Sequence, residues 1–256
     1  MNNSLRAVSS GAGSDVILLH GLFGQGSNLR GIARALEGRF RVHCLDLPDH
    51  GRSPWVAAAS LEAYAARVLE WMNVNRIDGS HIIGHSLGGK VAMQLTLSSA
   101  ARVRGLVIAD IAPVRYPRQH SEILAAMARV EASGCQTRAD AEAILAATVP
   151  EPQVRSYLMM SLIDGDGGYR WRFNLAGLTA GYEQLREAPV GDEPCQAPAL
   201  FLRGADSLYI RDEQLPEIAR RFPQSRMQTV PEAGHWLHID QPSAVHSAIE
   251  QYLVGW

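Results

Sequence analysis

Residues 81–88 read His-Ile-Ile-Gly-His-Ser-Leu-Gly, and this short segment places a serine between a strand and a helix. Its apolar beginning is typical of a buried strand, and a helical pattern follows from residue 87 to residue 98. The five residues from Gly84 to Gly88 match G-x-S-x-G, the pattern of a nucleophile elbow. The serine of an elbow lies in a tight, strained turn, so the residues two before and two after it must be small. Ser86 is therefore our candidate nucleophile, above the carboxyl end of a sheet.

The same alternation of short apolar runs and helical patterns extends along most of the chain. Apolar runs predict further buried strands at 16–20, 41–46, 104–109, 199–203 and 226–230. Helical patterns cover 29–36, 61–74, 87–98 and 244–253, and Ser60 is a suitable N-cap for the second of them. Strands that alternate with helices predict an α/β fold with a mostly parallel, doubly wound sheet.

The alternation breaks between residues 111 and 198. This stretch contains helical patterns at 121–133, 138–147 and 154–163, and it contains no clear strand. We therefore predict a helical lid (cap) over 112–196, inserted before the last two strands. The core domain would then be discontinuous and would consist of 1–111 and 197–256.

A serine nucleophile needs a base and an acid. His235 follows the last predicted strand, in agreement with the chain order serine, acid, histidine. It would take the proton from Ser86 and return it to the leaving group. Asp110 ends one predicted strand and Asp206 follows another, and both carboxylates can reach His235 from neighbouring strand ends. These residues alone do not choose between the two acids.

Two backbone N–H groups would form the oxyanion hole. The residue after the nucleophile, Leu87, supplies one of them. The other comes from the loop that follows the first buried strand, His20-Gly21-Leu22-Phe23-Gly24. We choose Leu22 as this second donor, with Phe23 as the alternative.

Composition excludes several classes of function. The chain has 256 residues, 46% hydrophobic and 20% charged, and its net charge of -2 gives no support for a nucleic-acid partner. Its 3 cysteines are widely spaced without a C-x-x-C pair, so we expect reduced, buried thiols and a cytoplasmic protein. We expect no secretory signal and no membrane span, because no apolar run approaches the length that either requires. His235 and His238 lack a third ligand cluster, so we expect no metal and no cofactor.

The motifs taken together resemble the α/β-hydrolase superfamily over the full length of the chain, and more closely the bacterial YbfF-type esterases. The matching segments are 20–24, 84–90, 110–113, 171–174 and 234–238. The resemblance implies a serine esterase with a small helical lid. It assigns Ser86 as nucleophile, His235 as base and Asp110 as acid. These relatives usually carry asparagine where this chain has Asp206, so Asp206 stays as the alternative acid.

The resemblance also implies a substrate, a small acyl ester or thioester. We expect Phe23, Ser207 and Trp236 to line its site, with Ser207 matching a serine beside the triad. The predicted reaction is hydrolysis of short-chain carboxylic esters through an acyl-enzyme. An acyl-thioesterase, a cofactor-free perhydrolase and a ligand-binding module on a hydrolase scaffold stay as alternatives.

The insertion carries further candidates at the predicted site mouth. Arg115 and Arg118 would either bind an anionic substrate group or form a solvated face of the lid. Trp171 and Phe173 would either line an acyl pocket or pack the lid against the core.

Overall fold

A computed structural model describes residues 4–191 and 194–255. Seven strands form one sheet in the order β1-β3-β2-β4-β5-β8-β9. Their bounds are β1 Ala7–Ser10, β2 Ser14–Leu19, β3 Phe40–Leu45, β4 Ser80–His85, β5 Val103–Ala109, β8 Ala199–Gly204 and β9 Ser225–Val230. All neighbours run parallel except β1, which pairs antiparallel with β3. The predicted α/β fold with a mostly parallel sheet is confirmed.

The inner strands are apolar at successive positions because both of their faces are covered. In β2, Val16 and Leu18 join the core on one face of the sheet, while Ile17 and Leu19 join the core on the other. The apolar-run pattern identified these strands for that reason. It missed β1, a short edge strand whose residues remain half-buried or exposed.

Helices cover both faces of the sheet. They are α1 Arg30–Leu36, α2 Leu61–Val74, α3 Leu87–Ser98, α9 Leu215–Arg221, α10 Leu237–Asp240 and α11 Pro242–Val254. Buried side chains of α2 and α3 belong to one core, and those of α1 and α11 belong to the other. The predicted N-cap is confirmed, because the Ser60 hydroxyl accepts the N–H of Ala63 at 3.1 Å. None of the helices in the described residues has the length and apolar character needed to cross a bilayer.

The chain between β5 and β8 forms five helices and a small hairpin. The helices are α4 Ser121–Ser133, α5 Arg138–Ala146, α6 Pro152–Met159, α7 Leu175–Ala180 and α8 Tyr182–Leu185. The hairpin pairs β6 Leu162–Ile163 with β7 Arg170–Trp171 in antiparallel orientation. The sequence prediction of no strand here was therefore wrong, as was the extension of α6 to residue 163. Two-residue strands are too short to show a periodicity of their own.

The insertion is tied to the core by buried polar contacts. Lys90 of α3 donates to the carbonyl of Arg186 at 2.7 Å and to that of Glu187 at 2.5 Å. The amide of Asn174 donates to the Asp49 carboxylate at 2.9 Å. Trp171 and Phe173 are both buried and stacked, 5.6 Å apart, and the Trp171 indole donates to the carbonyl of Met127 at 2.9 Å. Trp171 is therefore a packing residue.

Candidate active site

Ser86 lies at the junction of β4 and α3, at the carboxyl edge of the sheet. Its φ is +53° and its ψ is -118°, a left-handed conformation that L-residues rarely adopt. The two flanking glycines permit this turn. A Cβ on Gly84 would lie 2.3 Å from the carbonyl oxygen of Gly88, and a Cβ on Gly88 would lie 2.1 Å from that of Leu19. The local geometry is the strained elbow that the sequence predicts.

His235 and Asp110 lie beside each other at this edge. Nδ1 of His235 is 2.8 Å from Oδ2 of Asp110, whose side chain is fully buried. Asp110 directly follows β5, and His235 lies in the loop after β9. The carboxylate also accepts the N–H of Gly204 at 3.1 Å and the hydroxyl of Ser207. Three hydrogen-bond donors fix the orientation of this buried carboxylate.

The ring and backbone of His235 are held as well. Tyr209 stacks on the imidazole with ring centroids 3.7 Å apart. Nε2 of His85 donates to the carbonyl of His235 at 2.9 Å. Burial holds the pKa of His85 well below its usual value, so His85 is neutral and carries its proton on Nε2.

The side chain of Asp206 forms no hydrogen bond or ion pair with His235 in the described residues. The backbone N–H of Asp206 donates to the carbonyl of Ala233 at 2.9 Å, and its side chain is exposed. Ser207 contacts Asp110, not the cleft around Ser86, although the sequence prediction gave it a substrate-binding position. Phe23 and Trp236 line that cleft, and their contact with a substrate stays a prediction.

In the loop after β2, the backbone N–H groups of Phe23 and Gly24 are already bonded and, among the described residues, that of Leu22 is not. The N–H of Phe23 donates to Nε2 of His50 at 3.2 Å, and the N–H of Gly24 donates to the carbonyl of Gly21 at 3.1 Å. Within the described part of the chain, the N–H of Leu22 has no acceptor. The N–H of Leu87 opens α3 and so has no partner inside its helix. Leu22 therefore fits the predicted oxyanion donor better than Phe23.

Side chains from the insertion hold the carbonyls of the same loop. The hydroxyl of Tyr157 donates to the carbonyl of Leu22 at 3.1 Å, and that of Ser161 donates to the carbonyl of Phe23 at 2.9 Å. Phe23 itself has a φ of +64°. Contacts from the core and from the insertion thus both hold the loop, and the N–H of Leu22 stays available for a ligand.

Two buried histidines support this loop, and sequence reasoning assigned a role to neither. Nε2 of His20 accepts the N–H of Leu47 at 3.0 Å, while Nδ1 of His50 donates to the carbonyl of Pro48 at 2.8 Å. Burial lowers the pKa of His20 to about 4 and that of His50 to about 3, so both are neutral acceptors at Nε2. Their partners lie 27 residues away in each case, beyond the reach of any local pattern.

His120 is a further cleft residue that sequence reasoning missed. The hydroxyl oxygen of Tyr182 accepts the backbone N–H of His120 at 3.1 Å and lies 2.7 Å from its Nδ1. Burial lowers the pKa of His120 to about 4, so the ring is neutral. With the Tyr182 hydroxyl donating to Nδ1, the ring proton is on Nε2, which faces Tyr209 at 3.5 Å. His120 therefore offers a neutral donor at the cleft wall.

The cleft has a volume of about 410 Å³. Residues of the core line one side of it, among them Leu22, Phe23, Ser86, His235 and Trp236. The insertion lines the other side with His120, Ile123, Val154, Tyr157 and Leu158. The described residues contain no group of three His, Cys, Asp or Glu side chains placed to hold a metal ion. Arg115 and Arg118 form ion pairs with Glu183, and Arg115 also pairs with Glu187, so both side chains already have acidic partners.

Comparisons with known proteins place the whole chain in a family. The sequence profile of the alpha/beta hydrolase family matches residues 16–248. Esterase YbfF of Escherichia coli is 38% identical over 244 residues, which cover 94% of this chain and 93% of that protein. The sn-1-specific diacylglycerol lipase ABHD11 of Mus musculus is 36% identical over 93% of this chain and 80% of its own length.

Among solved structures, a marine microorganism esterase superposes with a TM-score of 0.94 at 35% identity, covering 98% of this chain and 99% of its own. Similarity of sequence and of fold thus extends over nearly the whole length of the chain. The chain therefore belongs to the alpha/beta hydrolase family, as one of its carboxylic ester hydrolases.

Proposed function

We propose that the protein hydrolyses short-chain carboxylic esters through a Ser86–His235–Asp110 triad and an acyl-enzyme. The observation that carries this proposal is the hydrogen bond between Nδ1 of His235 and the buried Asp110 carboxylate, in the same cleft as Ser86 on its elbow. With Nδ1 donating to Asp110, Nε2 of His235 is the free acceptor that a general base needs.

In acylation, Oγ of Ser86 forms a bond to the ester carbonyl carbon while His235 takes the hydroxyl proton. The negative charge that develops on the carbonyl oxygen is stabilised by the N–H groups of Leu22 and Leu87. The bond from carbon to the alcohol oxygen then breaks, and His235 gives its proton to that oxygen. In deacylation, water loses a proton to His235 and attacks the acyl carbon. The carboxylic acid leaves, and the proton returns to Ser86.

We assign the acid role to Asp110 and not to Asp206. The burial of Asp110, its contact with His235 and its two further hydrogen bonds, from Gly204 and Ser207, support this assignment. The exposed Asp206 carboxylate would be screened by water and would hold the imidazole weakly.

We also propose that residues 112–196 act as a lid over the cleft. This is supported by the insertion residues that line the cleft and by the Tyr157 and Ser161 contacts to the oxyanion loop. A covered site excludes water from the reacting ester until deacylation.

We propose a cytoplasmic location as well. Cys44, Cys135 and Cys195 are all free and buried. Thiols that stay unpaired suit a reducing compartment.

The first experiment compares wild type with Ser86→Ala on p-nitrophenyl esters whose acyl groups range from two to twelve carbons. We expect turnover that is fastest on the short acyl groups and that falls by about 10⁴-fold or more in the variant. A covalent phosphonate probe should label wild type at Ser86 and leave Ser86→Ala unlabelled. Equal activity in both proteins would refute the triad, and absence of both turnover and labelling would favour a ligand-binding role. Matched acetyl thioesters in the same assay separate an esterase from a thioesterase.

A further inference from the structure

Two cavities of very different size border the cleft around Ser86 and share lining residues with it. A small one of about 50 Å³ shares Leu22, Ser86 and Tyr209 with the cleft. A groove of about 500 Å³ shares Tyr157 and Trp236 with it. The two differ about tenfold in volume, so an elongated substrate has little freedom in how it can lie.

Proton transfer decides which part of an ester enters which cavity. The imidazole that accepts the Ser86 proton must deliver it to the alcohol oxygen, so the alcohol lies on the side of His235. His235 and its neighbour Trp236 line the cleft, and Trp236 continues into the groove. The small cavity is instead lined by Leu22 and Leu87, the two residues that we propose as oxyanion donors. The acyl chain therefore points into the small cavity and the alcohol points towards the groove.

The small cavity has firm walls. Ile111 and Leu185 are buried core residues at its boundary. Lys90 also lines this cavity, but it is only 2% exposed. Its ammonium group donates to the carbonyls of Arg186 and Glu187. Closely packed interiors resist expansion, so a long acyl chain would need repacking of this region.

The groove lies between α6 and α10, and exposed apolar side chains line both of its sides. Met160 is 52% exposed on the α6 side and Ile239 is 63% exposed on the α10 side. The aromatic rings of Tyr157 and Trp236, 5.6 Å apart, lie where the groove joins the cleft. Exposed apolar side chains that face one another across a groove are typical of a ligand site.

The charge of the groove limits the ligand further. Among its described lining residues there is no lysine or arginine, and Asp240 is its acidic member. A phosphate or carboxylate on the alcohol would find no cation here. Arg115 and Arg118 do not line the groove and are paired with glutamates.

We infer that the preferred substrates are esters of a small acid with a long, uncharged, apolar alcohol. The acyl group occupies the small cavity and the alcohol chain lies in the groove between α6 and α10. This inference rests on the proposed function, because it uses the same Ser86 acylation and the same proton delivery from His235 to the alcohol oxygen.

Two isomeric esters test it directly, octyl acetate and ethyl octanoate. They have the same atoms and similar hydrophobicity, and they differ in which side of the ester bond carries the long chain. We expect wild type to show a kcat/KM at least about tenfold higher for octyl acetate, the size of effect that a few methylenes make in an apolar site. An equal or higher value for ethyl octanoate would overturn the inference. Hydrolysis of neither isomer, nor of p-nitrophenyl acetate, would instead count against the proposed function.

A variant locates the effect in the groove. Ile239→Asp places a charge on the α10 side of the groove and leaves Ser86, His235 and Asp110 unchanged. We expect kcat/KM to fall about tenfold for octyl acetate and to stay within about twofold for ethyl acetate. Val74→Asp is the matched control, because Val74 is 65% exposed at the end of α2 and lies outside the groove. An unchanged ratio of octyl to ethyl acetate in Ile239→Asp would show that the alcohol chain does not lie there.

Discussion

Nε2 of His50 accepts the backbone N–H of Phe23 at 3.2 Å, and this contact sets the conformation of the loop that carries Leu22. Without it, both Leu22 and Phe23 would offer unpaired donors beside Ser86. With it, the N–H of Phe23 is already bonded, and the N–H of Leu22 stays available as a donor. His50 is itself oriented through Nδ1 by the carbonyl of Pro48 at 2.8 Å. A histidine outside the triad is thus a positioning residue for the proposed oxyanion hole.

Replacement of His50 by alanine should lower kcat with little effect on KM. The Phe23 N–H would lose its buried acceptor, and the loop would relax away from the geometry that stabilises the oxyanion. We expect a loss of about a hundredfold, the lower end of what removal of an oxyanion donor costs. His50→Gln should recover part of the activity, since its amide oxygen can accept the same N–H. Steady-state kinetics on a short ester measures both variants.

His43 provides the control for this pair. It is also a buried histidine, but it contacts Asp15 at 2.8 Å and does not line the cleft. His43→Ala should reduce thermal stability while leaving kcat nearly unchanged. If His43→Ala and His50→Ala lower kcat to the same extent, the effect of His50 is a general loss of stability.

The two candidate acids make opposite predictions. Asp110→Asn keeps the shape of the side chain but removes the charge that holds the imidazole in its productive tautomer. We expect kcat to fall by about 10³–10⁴-fold, as in other triads with this change. Asp206→Asn should leave kcat within about twofold, because the side chain of Asp206 is exposed and the carboxylate that contacts His235 is that of Asp110. A larger loss for Asp206→Asn would reverse the assignment.

The sheet could be predicted from sequence because its strands are buried on both faces. Runs such as Val16 to Leu19 are apolar at every position. Such a run can be recognised without knowing which strands and helices pack against it. The edge strand Ala7–Ser10 and the hairpin Leu162–Ile163 with Arg170–Trp171 were missed, since they are short and lack such runs. Their pairing depends on long-range contacts.

The site residues that could be predicted from sequence are likewise those with a local sequence pattern. The elbow at Ser86 has a local sequence requirement, the two glycines, and could be found. The choice between Asp110 and Asp206 depends on which carboxylate faces inward, and both follow a strand. His50 and His120 act through partners 27 and 62 residues away, so no local pattern could identify them.

Buried histidines should make the protein sensitive to acid. Burial lowers the pKa of His20, His120 and His238 to about 4 and that of His50 to about 3. In the unfolded chain these histidines take up protons near the ordinary histidine pKa of about 6.5. Between pH 6.5 and about 4 the unfolded state therefore holds more protons than the folded state, so the free energy of unfolding falls as the pH falls. Urea titrations at pH 4.5, 5.5, 6.5 and 7.5 should show this decline below pH 6.5.

One histidine can be removed to test this account. Nδ1 of His238 is buried and has no hydrogen-bond partner in the described part of the protein. His238→Gln should reduce the slope of unfolding free energy against pH by about 1.4 kcal/mol per unit between pH 4 and 6.5, the contribution of one proton. Above pH 7 the curves of unfolding free energy against pH should be parallel for the two proteins, which provides an internal control. Identical slopes below pH 6.5 would mean that His238 does not contribute to the acid sensitivity.

The close crossing of β2 and α3 at Gly88 predicts a sharp difference between two glycine-to-alanine substitutions. A Cβ at Gly88 would lie 2.1 Å from the carbonyl oxygen of Leu19, a backbone atom that cannot rotate away, so α3 and β2 would have to separate. That separation would also move Ser86 relative to the oxyanion loop that follows Leu19. We expect Gly88→Ala to lose about 3 kcal/mol of stability and most of its activity. Gly38 has open space around its Cβ position, so Gly38→Ala should stay within about 0.5 kcal/mol of wild type. Denaturant unfolding with a parallel ester assay measures both, and a stable, active Gly88→Ala protein would contradict the tight crossing that holds the elbow in place.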